Sequence, residues 1–134
     1  MGILHSRQPG VSFTSANAAR DWLRLRMARL EREVFIVLYL DNQHRLLTHE
    51  TLFTGSINST EVHLREIVKS ALKHNAAAVL LAHCPPSGHA DPSDADRQIT
   101  RRVQDALALV DVWVLDHCMV GGMTVYSFAE HGLL

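Results

Sequence analysis

Apolar residues occur along this chain in two arrangements, continuous runs and stripes with helical spacing. One run, Val34 to Leu40, is rich in β-branched and aromatic residues, and it predicts a strand buried on both faces. Ala76 to Ala82 is a second run of this kind. Residues 45–53, after the turn residues Asp41-Asn42, predict a strand that forms a hairpin with the first run. Shorter apolar segments predict the last two strands at 112–115 and 124–128.

Three segments carry apolar residues at intervals of three and four, which is the spacing of one helix face. They span 15–31, 60–74 and 94–109. Ser15 suits the N-cap of the first helix. We expect each helix to bury its apolar face against the sheet. The predicted buried residues are Trp22, Leu23, Met27 and Leu30 in the first helix, Leu64, Ile67, Val68, Ala71 and Leu72 in the second, and Ile99, Val103, Ala106, Leu107 and Val110 in the third.

Apolar strands separated by helices predict an α/β fold, a mixed sheet flanked by helices. The length of 134 residues is that of one domain with a core of its own. Residues 1–12 contain Pro9, Gly10 and few apolar side chains, which is typical of a flexible arm. We therefore predict an N-terminal arm over 1–12 and one domain over 13–134.

Composition narrows the class of function. The chain has 13 basic and 14 acidic residues, whereas a nucleic-acid-binding domain normally has a clear basic excess. No apolar run is long enough to cross a bilayer, and the N-terminus has no signal-peptide core. Two cysteines, Cys84 and Cys118, give no disulfide framework. We expect a cytoplasmic protein that binds neither a membrane nor nucleic acid; the sequence leaves its oligomeric state open.

The nine histidines are unusual for this length and make a metal site worth seeking. The informative segment runs from His83 to Asp96. It leaves the end of a predicted buried strand, crosses a proline-rich loop and enters a predicted helix. In α/β sheets, sites are usually built at the carboxyl ends of strands.

This segment resembles the JAMM motif of JAB/MPN metallohydrolases, an upstream Glu followed by His-x-His-x7-Ser-x2-Asp. His83, Ser93 and Asp96 match the motif, with its seven-residue spacer intact. In such sites two histidines and the aspartate hold Zn²⁺, and the glutamate accepts a proton from the metal-bound water while the serine stabilises the oxyanion. The resemblance implies His83 and Asp96 as metal ligands and Ser93 as catalytic. It also implies Glu50, in the predicted strand 45–53, as the general base.

Further blocks extend the resemblance to the RadC family, from about Glu31 to Leu134. The resemblance implies a three-layer, cytidine-deaminase-like architecture, a zinc cofactor and a protein or peptide substrate. It also implies the short form of the family, which lacks the helix-hairpin-helix region of longer RadC proteins. The family name carries an association with DNA repair, which the charge does not support. The matching blocks are Glu31 to Phe35, Asn75 to His83, Leu115 to His117 and Ser127 to Glu130.

The position of the second motif histidine is occupied by Pro85, whose side chain has no donor atom for a metal. The family usually reads His-Asn-His-Pro-Ser-Gly where this chain reads His-Cys-Pro-Pro-Ser-Gly, so an impaired metal site is expected. His89, in the following loop, is the candidate substitute ligand. Cys84 adjoins His83 and should point to the opposite face of the strand.

Each matched residue also has a purely structural interpretation. Ser93 followed three residues later by Asp96 is close to a capping box. His83 could be a hydrogen-bonded core residue, and Glu50 could face solvent, so the role of Glu50 rests on the resemblance. Two hypotheses stay open: a zinc-dependent hydrolase of peptide or isopeptide bonds with an impaired metal site, and an inactive domain that binds a protein partner.

Overall fold

The described part of the chain folds into three helices and five strands. The structure is a computed structural model that describes residues 11–13, 15–27, 33–54, 63–85 and 90–134. In chain order the elements are α1 (Ala16–Met27), β1 (Val34–Leu40), β2 (Leu46–Thr54), α2 (Leu64–Lys73), β3 (Ala78–Cys84), α3 (Asp94–Ala108), β4 (Trp113–Gly121) and β5 (Thr124–Ser127).

The five strands form one mixed sheet in the order β2-β1-β3-β4-β5. Only β3 and β4 are parallel; the other neighbours are antiparallel. Every residue of β1 and β3 is buried, which confirms that the two continuous apolar runs are strands covered on both faces. Because Val34 pairs with Cys84, Glu33, which directly precedes β1, lies beside the end of β3.

Two apolar clusters lie on opposite faces of this sheet. One contains the buried side chains of α1 together with alternate residues of the strands. The other contains the buried side chains of α2 and α3 with the remaining strand residues. The architecture is therefore three-layered, as predicted, with α1 on one face and α2 and α3 on the other. In the described ranges, no helix is long and apolar enough to cross a membrane.

The helix faces agree with the predicted stripes at most positions. Ser15 caps α1, since its Oγ accepts a hydrogen bond from the Ala18 N–H at 3.1 Å. Leu72 is an exception: it is 54% exposed, because it lies about 100° around α2 from the buried Ala71. Leu64, Val68, Ala106 and Val110 are only half-buried, and Leu30 is outside the described residues. The confirmed buried positions are Trp22, Leu23, Met27, Ile67, Ala71, Ile99, Val103 and Leu107.

Several boundaries differ from the predicted ones for local reasons. β3 begins two residues late, because Ala76 still donates its N–H to Ala71 at the end of α2. α2 begins at Leu64, after an extended His63. β4 continues far beyond the predicted end at residue 115, since Asp116 is satisfied inside the sheet by hydrogen bonds from the Ser127 hydroxyl and two backbone N–H groups.

The end of the predicted N-terminal arm pairs with the hairpin. The Leu46 N–H donates to the Val11 carbonyl at 2.7 Å, and Ser12 forms an antiparallel bridge with Arg45. These two arm residues are thus tied to β2, while residues 1–10 lie outside the described residues.

Candidate active site

His83 is the centre of a buried polar cluster at the end of β3. Its Nδ1 lies 2.7 Å from Oδ1 of Asp96, and its Nε2 lies 2.7 Å from Oε2 of Glu33. An ionised carboxylate only accepts hydrogen bonds, so a ring nitrogen of His83 that faces one donates to it. We call this arrangement the Glu33–His83–Asp96 triad. All three residues are at most 6% exposed.

The charges within the triad stabilise one another. Burial opposes a charged imidazole, but the hydrogen bonds and charges of Asp96 and Glu33 raise the pKa of His83 above its ordinary value. Burial also opposes ionisation of Asp96, but hydrogen bonds from His83 and Ser93 lower the pKa of its carboxyl to about 2. The contacts with the two carboxyl groups therefore favour the protonated form of the His83 imidazole.

Ser93 and the first turn of α3 orient the Asp96 carboxylate. Ser93 is the N-cap: the Asp96 N–H donates to its Oγ at 3.1 Å. In return, the Ser93 N–H and hydroxyl both donate to Oδ2 of Asp96 at 2.8 Å. The predicted capping box is confirmed. One oxygen of Asp96 is thus fixed by the cap, and the other is directed at His83.

Glu33 is the carboxylate that the structure places against His83. It immediately precedes β1, where the next two residues, Val34 and Phe35, pair with Cys84 and His83. The sequence interpretation selected Glu50 for this position. Glu33 lies inside the first block of the family resemblance, so the sequence did contain a reason to consider it. Only the pairing of β1 with β3, however, brings Glu33 to the site.

Glu50 belongs to a different cluster. It lies on β2 opposite Val37, and because β1 separates β2 from β3, the strand of His83 is about 10 Å away. Its carboxylate accepts hydrogen bonds from the Tyr39 hydroxyl at 3.1 Å and the Ser70 hydroxyl at 2.9 Å. The structure does not bring Glu50 to His83; Glu50 instead links α2 to the β1–β2 hairpin.

His117 lies beside the triad and was not singled out as a site residue from the sequence. It is fully buried, and its ring centroid is 6.5 Å from that of His83. Thr100 must donate its hydroxyl proton to the Asp96 carbonyl, which only accepts, so His117 donates from Nδ1 to the Thr100 oxygen. Nε2 of His117 has no hydrogen-bond partner in the described part of the chain. Burial lowers the pKa of His117 to about 3, and the ring is neutral.

The fold and this cluster agree with a known protein family. Residues 13–133 match the family model described as RadC-like JAB domain. The chain belongs to this family.

Close relatives of this RadC-like JAB domain carry names without a stated activity. The chain is 64% identical to the UPF0758 protein YkfG of Escherichia coli K12 over 97% of its own length and 82% of the relative. It is 65% identical to YeeS of the same organism, over 97% and 88% of the two chains. A UPF0758 protein of Pseudoalteromonas translucida, PSHAa2643, is 59% identical over 91% of this chain and 54% of the relative.

JAB-domain families are generally associated with zinc. A catalytic zinc takes three protein donors and one water. His83 and Asp96 are suitable donors, but they bond to each other, and Pro85 supplies none. His89 is outside the described residues. Within the described ranges, no three His, Cys, Asp or Glu side chains are grouped so that they could hold a metal. The described residues of this RadC-like JAB domain therefore do not fit a catalytic zinc.

Cys84 is excluded from the triad by strand alternation. Its side chain is buried in the cluster on the α1 face, whereas His83 faces α3, as expected. Cys118 is buried in the same cluster as Cys84, and both cysteines are free thiols. Neither thiol therefore replaces the missing ligand of the RadC-like JAB domain.

The stabilising effect of the triad is expected to depend on pH in a defined direction. The raised pKa of His83 gives stability that is present below about 6.5 and lost as the pH rises through the folded-state value. The lowered pKa of Asp96 gives stability that is present above 3.8 and lost as the pH falls through about 2. In urea unfolding, the difference between the native chain and His83→Gln should be largest between these limits. A difference that grows above pH 7 would contradict the assignment.

Proposed function

We propose that this RadC-like JAB domain has lost zinc-dependent hydrolysis and acts by binding a protein or peptide partner. One observation carries the proposal: Pro85 stands where the second histidine ligand belongs. A metal ligand must offer a lone pair, and the Pro85 side chain offers none.

The missing ligand carries a large cost in metal affinity. Structural zinc sites bind with about 10–16 kcal/mol shared among four ligands, or about 3 kcal/mol for each ligand. Losing one ligand therefore weakens binding on the order of 100-fold or more. A metal would in addition have to displace two charge-assisted hydrogen bonds of His83, which are stronger than neutral ones.

The surface supports a binding role. Trp113 and Leu109 are large apolar residues near the end of α3 remote from the triad, 74% and 87% exposed. Aromatic side chains are enriched among the residues that dominate protein interfaces. The class of partner, a protein or peptide, follows from the substrate class that the family resemblance implies.

Zinc titration tests the proposal. The chain is first freed of metal, then equilibrated with micromolar zinc and dialysed, and the bound metal is measured by elemental analysis. We expect far less than one zinc per chain. One zinc per chain retained at this concentration would overturn the proposal.

A second candidate is a peptidase or isopeptidase with an altered metal site. It is favoured by the three motif residues that this chain retains. Asp96 is hydrogen-bonded to both His83 and Ser93. Here His83 and Asp96 would be ligands, and Glu33 rather than Glu50 would accept the proton. His89 is the remaining ligand in this hypothesis. If the native chain retains zinc and His89→Ala does not, this candidate gains direct support.

A role in DNA repair has no support from charge, since the formal net charge is −1. A gel shift at low salt with duplex DNA separates this possibility from a protein-binding role, because phosphate contacts dominate such binding. We expect no shift.

A further inference from the structure

We infer that two copies of this chain pair through the open edge of β4, so that their sheets join into one continuous sheet. The inference rests on that part of the proposed function in which the surface around Trp113 binds a protein, and it names this protein as a second copy of the chain. The surface lies at the end of α3 remote from the triad and includes none of the residues of the JAMM motif.

The first half of β4 has a neighbouring strand on one side only. β5 pairs with the last four residues of β4, Cys118 to Gly121. Trp113 donates its N–H to the Ala77 carbonyl, toward β3. Because alternate residues of a strand bond in opposite directions, the N–H and C=O of Val114 point away from β3, where the described part of the chain places no strand. Unpaired main-chain groups at a sheet edge are a template for an added strand.

A groove beside this edge is lined by α3 and β4 together. It has a volume of about 510 Å³, enough to take several side chains of a partner. The residues of α3 in it are spaced by four and three positions, so they form one stripe of the helix. The groove residues that matter here are Arg101, Asp105 and Ala108 of α3, Asp111 of the following turn, and Trp113 and Val114 of β4.

The groove is basic at one end and acidic at the other. Its basic residue, Arg101, lies toward the N-terminus of α3, with Arg97 and Arg102 adjacent. Asp105 and Asp111 lie toward the C-terminal end, where the helix dipole is negative and where no Lys or Arg follows in the sequence. None of these side chains forms an ion pair within the described residues. Two antiparallel copies therefore bring the basic end of each groove against the acidic end of the other.

The levels of strand and helix favour a two-fold axis at Val114. Val112 donates its N–H to the Leu107 carbonyl, and from there β4 runs back along α3. Val114 lies about 7 Å further along β4, a distance equal to about four or five residues of a helix. It is therefore level with the part of α3 between Arg101 and Asp105. An axis through Val114 places Arg101 of each copy opposite Asp105 of the other.

The opposite face of the sheet is complementary about the same axis. Val112 and Val114 belong to the α3 side of the sheet, so Trp113 and Leu115 face the α1 side, where Leu115 packs against the core. In antiparallel pairing centred on Val114, Trp113 of one copy lies directly opposite Leu115 of the other. The Trp113 ring, 74% exposed in the single chain, then covers the half-buried Leu115 of the second copy.

Sedimentation equilibrium of the full chain tests the inference. We expect the average mass to rise from that of one chain to that of two between about 1 µM and 1 mM, since a contact of one short strand and a few side chains is at the weak end of specific interfaces. Arg101→Glu should weaken association about tenfold or more, because it places like charges opposite each other in both halves of the contact. Adding Asp105→Arg to Arg101→Glu should restore the native affinity.

Arg65→Glu is the matched control, because Arg65 is exposed on α2, outside the groove, and the net charge changes equally. It should leave association unchanged. A chain that is monomeric at 1 mM, or a dimer that Arg101→Glu and Arg65→Glu weaken equally, overturns the inference. The zinc titration separates this failure from that of the proposed function: a monomer without zinc refutes the pairing alone, and a dimer with one zinc per chain refutes the loss of zinc binding alone.

A cysteine at the inferred axis tests the register. In Val114→Cys the two thiols meet at the axis, where the Cα atoms of opposed residues are about 4.5–5.5 Å apart, within the range that a disulfide spans. Oxidised glutathione should convert this variant to a covalent dimer. Thr124→Cys, exposed on β5, controls for collisions and should stay monomeric, and both native cysteines are buried. Equal cross-linking of the two variants would refute pairing at Val114.

Discussion

Pro85→His is expected to raise the affinity of the chain for zinc on the order of 100-fold. The substitution places an imidazole two residues after His83, where an extended backbone directs both side chains to the same side. Together with Asp96 this gives three protein donors, the number that a catalytic zinc site uses. An added ligand is worth about 3 kcal/mol of a binding free energy of about 10–16 kcal/mol. Calorimetric titration of the metal-free variant with zinc measures the gain.

Pro85→Ala is the control for this substitution. It removes the rigid ring in the same way but adds no donor, so its zinc affinity should equal that of the native chain. Equal affinities for Pro85→His and the native chain would show that the missing donor is not what limits binding. In that case the triad contacts of His83 would be the limiting factor.

Phe35→Ala is expected to lower the free energy of unfolding by about 3–5 kcal/mol, the usual cost of removing a buried aromatic ring. Phe35 is 1% exposed, and its ring centroid is 5.7 Å from those of both His83 and His117. The substitution would leave a cavity beside two buried polar rings. Urea denaturation monitored by circular dichroism gives the change.

Trp113→Ala provides the comparison for the loss of an aromatic ring. Because Trp113 is 74% exposed, its replacement should change the free energy of unfolding by less than about 0.5 kcal/mol. A loss below about 1 kcal/mol for Phe35→Ala would mean that the ring does not pack between the histidines as the structure describes.

The strands buried on both faces were the part of the fold that the sequence predicted best. β1 matches the predicted range, because a short apolar run rich in β-branched and aromatic residues and followed by turn residues favours a strand buried on both faces. β4 was predicted too short, since Asp116 and His117 interrupt its apolar pattern. Their hydrogen-bond partners, Ser127 and Thr100, are contributed by other elements and cannot be identified from local periodicity.

The site could be predicted only where its residues are close in sequence. The spacing of His83, Ser93 and Asp96 was sufficient to place them together, because one loop and one helix turn connect them. Glu33 was missed because its contact with His83 depends on the antiparallel pairing of β1 with β3. Glu50 matched the motif equally well as an upstream glutamate, and only the strand order separates the two.

The same strand order also determines when the triad can form during folding. The contact between Glu33 and His83 spans 50 residues, and closing a loop of this length before other contacts compensate it costs chain entropy. Topologies with many such contacts fold more slowly than helical bundles. A chain emerging from the ribosome cannot complete the triad until Asp96 has left the exit tunnel, because Asp96 is the last of the three residues to be synthesised.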